Sequence, residues 1–117
     1  MRKLLFGSSL VGAVALAGAA LGHHGWGSYD ASKTVTITSP VQKLDWTNPH
    51  VHLVVLHQGK PWEAVLAPPF RMTARGLAQD MLKVGTPVTL EGYVSTKVEN
   101  ELRAERIRVG GKTFELR

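Results

Sequence analysis

Thr34-Val35-Thr36-Ile37-Thr38-Ser39-Pro40-Val41-Gln42-Lys43-Leu44-Asp45-Trp46 is the stretch on which the fold turns. Threonine, valine and isoleucine alternate in it with a period of two, the pattern of a half-buried strand. Pro40 fixes its own dihedral and offers no N–H to a ladder, so the strand is expected to bend at Ser39-Pro40. Working outward, Thr47-Asn48-Pro49 precedes a second predicted strand, His50–His57, with His50, His52, Val54 and Leu56 on one face and Val51, Leu53, Val55 and His57 on the other. Gln58 to Pro61 reads as a turn into a third strand, Trp62 to Ala67.

Pro68-Pro69 stops the sheet, and Phe70, Ala74, Leu77, Ala78 and Met81 recur at helical spacing. Gly76 interrupts that spacing, which predicts a short helix over 69–75 capped by Gly76 and one further turn to Leu82. Met72 and Met81 read as core filler. A strand from Val88 to Thr96 carries Gly92, where a bulge would curl it. Leu102 to Val109 is the fifth strand, and Gly110-Gly111 leads a hairpin into Lys112 to Leu116. Three strands, a helix and two more strands give the element order of a small, mainly β, OB-like Greek-key barrel of five to six strands, the last hairpin being an addition. A sandwich is the rival, but closure hides strand edges better.

Toward the N-terminus, Met1-Arg2-Lys3, an apolar run to Ala17 and the small residues to Gly22 read as a secretory leader. Glycines and serines dilute the run below the ~20 strongly apolar residues of a membrane span. The expected organisation is a signal peptide over 1–22, a flexible segment over 23–33 and the barrel over 34–117. The expected compartment is the periplasm, with no span after leader removal. The net charge is +5, of which Arg2 and Lys3 supply two, so the mature domain is mildly basic and lacks a nucleic-acid signature. Arg103, Arg106 and Arg108 alternate with Glu105 on a terminal strand, where charge commonly guards an edge. The chain has no cysteine, which excludes disulfide staples, thiolate catalysis and Cys-zinc sites.

His23-His24-Gly25, Val41 to Leu44 running into Trp46-Thr47-Asn48-Pro49-His50-Val51, and Leu82-Lys83-Val84-Gly85 with Val88 to Tyr93 resemble a family of short exported proteobacterial proteins of unknown function. The likeness spans the mature chain; its specific parts are the His-His start and the Trp-Thr-Asn-Pro-His stretch. The sequence departs from the family pattern at Gly25, where serine is common, and at Leu77, where tryptophan commonly follows the glycine. The resemblance implies the barrel and export, and no activity.

Function must therefore come from side-chain chemistry. All five histidines lie between residues 23 and 57. His50 and His52, two apart on a strand, share a face at roughly 6.5–7 Å along the backbone, a spacing that suits one ion. Gly25 and Gly27 would let the N-terminal segment fold back and bring His23 or His24 to the same place, giving a nitrogen site for Cu(II) or Zn(II). Cleavage after Gly22 or after Ala20 would add terminal chelation. Release would follow proton competition as pH falls toward the imidazole range of about 6.5. With no Met-x-Met pair in the barrel, copper would bind as Cu(II).

Trp26, Trp46 and Asn48 are the candidate binding surface for the alternatives, a metal-independent contact with an envelope protein or a glycan platform. The blander reading has Trp46 and Trp62 anchoring the barrel and Trp26 pinning the segment. No catalytic residue is assigned: Asp45, Glu63 and Asp80 are not paired with a nucleophile, and Ser28 lacks an elbow motif. The expectation is a binding protein and not an enzyme.

Overall fold

The computed structural model describes residues 25–117. The strand opened by the alternating threonines is β1, Tyr29–Pro40, and its continuation past the bend is β2, Lys43–Asp45. Ser39 holds the bend: its hydroxyl donates to the Pro40 carbonyl at 2.7 Å and accepts the Leu56 amide at 2.9 Å. Beyond the proline, the Val41 amide donates to the Thr86 carbonyl and the Gln42 amide to the Val54 carbonyl. The chain thus switches partners at residue 41, with Val41 itself fully buried.

The remaining elements are β3 (His52–His57), β4 (Lys60–Val65), α1 (Pro69–Ala74), a 3-10 turn at Gln79–Leu82, β5 (Pro87–Ser95), β6 (Glu101–Val109) and β7 (Lys112–Glu115). Neighbouring strands run β1-β5-β6-β4-β3-β2, antiparallel except for the parallel pair β4–β6. Because β1 and β2 are two halves of one bent strand, the ends of this path are joined by the chain and the sheet closes on itself. That connectivity is the OB barrel. The seven strands exceed the expected five to six because the first one breaks at its bend. β7 pairs with the part of β6 that β4 leaves uncovered.

Alternation fills the interior: Ile37, Leu53, Ala64, Leu90, Leu102, Ile107 and Phe114, from every strand but β2, are buried in one cluster, against which Leu44 of β2 packs in part. Met72, Leu77 and Leu82 cap it from the helical segment, and Met81 packs partly against it, so the methionines do fill core. Gly76 ends the helical segment with φ +91°, a conformation that favours glycine. Gly92 sits at the register shift between β5 and β6; a Cβ there would lie 2.1 Å from the Arg103 carbonyl oxygen. The bulge therefore depends on the missing side chain.

β4 starts at Lys60, inside the expected turn, because Gln58-Gly59 alone reverses the chain and sets His57 opposite Lys60; two other starts also differ from expectation. β1 begins at Tyr29, five residues before the alternation, because Tyr29 is buried and its hydroxyl donates to Glu101 at 2.8 Å. The Ser28 carbonyl, accepting the Thr96 amide and hydroxyl, ties the same segment to the loop after β5. β3 begins at His52 rather than His50, yet the pairing continues through Val51, whose amide donates to Ala67 and whose carbonyl accepts the Leu66 amide. Finally, β6 comes late in the sequence but is central in the sheet, between β5 on one side and β4 and β7 on the other, so its arginines do not guard an edge.

Candidate functional site

One row of residues crosses the outside of the barrel in register: Asp45 opposite His52, His52 opposite Val65, Val65 opposite Arg103, and Arg103 opposite Tyr93. The loop between β2 and β3, Trp46 to Val51, reaches this row at His50, whose ring lies beside Arg103. It holds the cis bond Asn48-Pro49. Asn48 is exposed there, while Trp46 is half-buried against the core.

His52 is the best-supported nitrogen in the row. Its Nδ1 lies 2.7 Å from Oε1 of Glu63 on the neighbouring strand. With Nδ1 carrying the proton, the carboxylate accepts it, orients the ring and leaves Nε2 with its lone pair, the arrangement that backs many metal-ligating histidines. The same two side chains, with Lys43, Asp45, Leu53 and Val54, line a hollow of about 40 Å³. That is room for an ion or a water, and not for an organic ligand. A wider groove of about 460 Å³, lined by Leu44, Gln79, Asp80 and Lys83, contains no histidine.

His50 stands differently. Its Nε2 is 3.4 Å from Nη2 of Arg103. A guanidinium only donates, so Nε2 accepts and its lone pair is engaged. The two histidines flank buried Val51 as the spacing argument expects, but each has its own partner. His57 lies apart, edge-on to Trp62 at 5.4 Å. Among the described residues no group of three or more His, Asp or Glu is placed to hold a metal ion. His23 and His24 lie outside the described residues.

Arg103 is the residue that spacing alone did not single out as a site. It is 5% exposed although it points away from the core, because Trp26 covers it: its guanidinium carbon sits 4.5 Å from the Trp26 ring centre, and that of Arg117 sits 4.4 Å from it. Tyr93 meets the same ring edge-on at 6.0 Å. Burial, and after it the neighbouring charges of Arg71 and Arg117, lower the proton affinity of Arg103, while Tyr29 works in the opposite sense. Tyr29 itself is pushed well above the usual phenol range, first by burial and then by its hydrogen bond to Glu101. Trp26 is thus a cover over Arg103 in the row.

A family model matches residues 12–102, more than half of the chain. The chain belongs to the family of unknown function DUF6152. The matched span includes the Trp46-to-Val51 loop and the whole of the hollow around His52. No curated protein matches this DUF6152 chain. Among solved structures, the TiaS–tRNA–ATP complex is similar in fold at a TM-score of 0.51 and 14% identity, over 76% of this chain and 20% of that one. A protein assigned as an aspartyl-tRNA synthetase from Leishmania major Friedlin gives 0.51 and 18%, over 75% and 19%. The S. pombe Stn1–Ten1 complex gives 0.48 and 15%, over 65% and 57%. The chain therefore spans less than two thirds of each of these neighbours, and at such identities the likeness is one of fold.

Proposed function

We propose that this DUF6152 chain is an exported OB-barrel binding module that holds a divalent cation, Cu(II) or Zn(II), at His52, with histidines of the N-terminal segment completing the site. The observation that carries the reading is the His52–Glu63 pair at 2.7 Å on the wall of an ion-sized hollow shared with Asp45. A neutral imidazole backed by a carboxylate is a good nitrogen donor to either ion, and the two carboxylates of the hollow, Asp45 and Glu63, outnumber its one ammonium, Lys43.

Reach supports the second half of the site. Trp26 is fixed over Arg103, which lies two strands from His52 in the same row. Two strand spacings are about 10 Å. His24 is two residues from Trp26, a span of up to about 7 Å of extended chain, and its own side chain supplies the remainder. His23 is one residue further. A nitrogen site of this composition loads by releasing protons and unloads as imidazoles reprotonate, which suits capture at neutral pH and transfer or release in acid.

The other two tryptophans favour this reading over a glycan platform, since Trp46 and Trp62 are half-buried against the core and leave Trp26 alone on the outer face. Calorimetric titration of the processed protein with Cu(II) and with Zn(II) tests the proposal. We expect one ion per chain, bound tighter than about micromolar, with His52→Ala weakening it about 100-fold or more and His50→Ala much less. Absence of uptake in that range, or uptake unchanged in His52→Ala, overturns it.

A further inference from the structure

Among the described residues Glu101 is the one buried carboxylate, 9% exposed, and no ion pair within 4.0 Å includes it. It opens β6, where the next residue, Leu102, is buried in the core, as is Ala64, the partner of Leu102 in register on β4. Alternation therefore turns Glu101 and Glu63, which also stand opposite each other, to the same outer side. The Glu63 amide donates to the Asn100 carbonyl at 2.9 Å and ties the two strands at this level. Tyr29, itself buried, donates its hydroxyl to Oε2 of Glu101 at 2.8 Å and holds the carboxylate in place.

Such an arrangement is unfavourable without a cation. A carboxylate taken out of water destabilises the fold unless a counter-charge or several hydrogen bonds compensate it, and one neutral phenol compensates weakly. Neighbouring strands lie roughly 5 Å apart, and like charges set opposite one another at that spacing repel. Arg103 lies two residues along β6 on the same face, yet its guanidinium is turned to His50 and the Trp26 ring and forms no ion pair with Glu101. Both costs are relieved by positive charge arriving beside Glu63, in the hollow that Glu63 shares with His52.

We infer that Glu101 sets the charge selectivity of the His52 site, favouring a doubly charged ion over a singly charged one; this rests on the reading of His52 as the ligand of a cation. Glu101 does not line the hollow, so it acts on the ion through its field and not by contact. Coulomb energy scales with the product of the charges, so a fixed negative charge attracts a dication twice as strongly as a monocation at the same place. Burial shields that charge from dissolved salt, whereas the half-exposed Glu63 is screened. Between the oxidation states of copper, the same field favours Cu(II) over Cu(I).

Glu101→Gln removes the charge and keeps an oxygen to accept the Tyr29 hydroxyl. Zn(II) and, in chloride-free buffer, Ag(I) are titrated calorimetrically into the processed protein and into the variant. We expect Zn(II) to be weakened about 10-fold and Ag(I) about 3-fold, with the Zn(II) loss persisting in about 0.5 M nitrate. Charges common to both proteins, Arg103 and Lys43 among them, cancel in the comparison. A merely structural role would weaken both ions by one factor. If circular dichroism shows that Glu101→Gln does not fold, Tyr29→Phe/Glu101→Met, which removes donor and charge together, carries the same expectation. Equal factors for the two ions, or an unchanged Zn(II) affinity, overturns the inference and leaves the His52 reading standing; absence of Zn(II) uptake by the native protein overturns both.

Discussion

Replacing Trp26 by alanine probes the contact that connects the fold to the proposed chemistry. The ring is stacked by two guanidiniums and meets Tyr93 edge-on. A cation–π contact contributes about 0.5–1 kcal/mol when exposed and about 2 when desolvated. Arg103, 5% exposed, belongs to the second class, and Arg117, with its side chain 56% exposed, to the first. The edge contact with Tyr93 adds about 0.5–1.5 kcal/mol. Loss of all three should cost the docked segment about 3 kcal/mol, a factor of about 100 in its docking equilibrium. Hydrogen exchange read by mass spectrometry should show residues 25–33 exchanging up to 100-fold faster, roughly, with β5 and β6 peptides little changed. Apparent Cu(II) affinity should fall by up to the same factor, because the competent fraction of chains falls. Unchanged exchange would refute the energetics of the stack. Faster exchange with unchanged Cu(II) affinity would refute the dependence of the metal site on the N-terminal segment.

Gly92→Ala should be among the most damaging single-methyl changes: its Cβ meets backbone of Arg103 at 2.1 and 2.8 Å and of Ala104 at 2.9 Å. We expect a loss of about 2–3 kcal/mol, seen as a fall in Tm of roughly 10–20 °C, and a fall of under 3 °C would show that the bulge relaxes freely. Tyr29→Phe should remove a dependence on alkali. A phenol whose proton affinity is raised in the folded state contributes stability that is complete below its unfolded value of about 10 and is lost as pH rises through the folded one. Thermal melts from pH 8 to 11.5 should therefore slope downward above about pH 10 in the native protein and more gently in the variant; parallel slopes would refute the assignment. Glu63→Gln should weaken metal binding about 10–100-fold while leaving Tm within a few degrees, and equal affinities would show that the carboxylate neither backs His52 nor favours the cation.

The barrel was legible because the cues were local. Alternation placed the strands within a few residues, Pro40 marked the switch of partners, Gly76 the end of the helical segment and Gly92 the bulge. What escaped depended on contacts distant in sequence. Tyr29 joins β1 through Glu101, 72 residues away, and nothing in the Gly-Trp-Gly-Ser stretch before it announces that bond. Arg103 looked like a guard on a terminal strand because sequence order is not sheet order; the parallel pairing of β4 with β6 makes that strand central and lets Trp26 bury its charge. The His52–Glu63 pair was within reach of inference. A two-residue turn at Gln58-Gly59 sets His57 opposite Lys60, which makes Glu63 a diagonal neighbour of His52 on the same face.

Spacing treated His50 and His52 as equivalent ligands, and their surroundings separate them. Arg103 keeps its proton near neutral pH, so its contact with His50 Nε2 occupies a lone pair and also sets a positive charge where a second cation would have to arrive. Glu63 does the reverse at His52, holding Nδ1 and setting a negative charge on the approach to the ring. The two charges act on an arriving cation in opposite senses, screened by solvent at the half-exposed Glu63 and less so at the buried Arg103. On the proposed reading, a cation entering this face is therefore drawn toward His52 and turned away from His50.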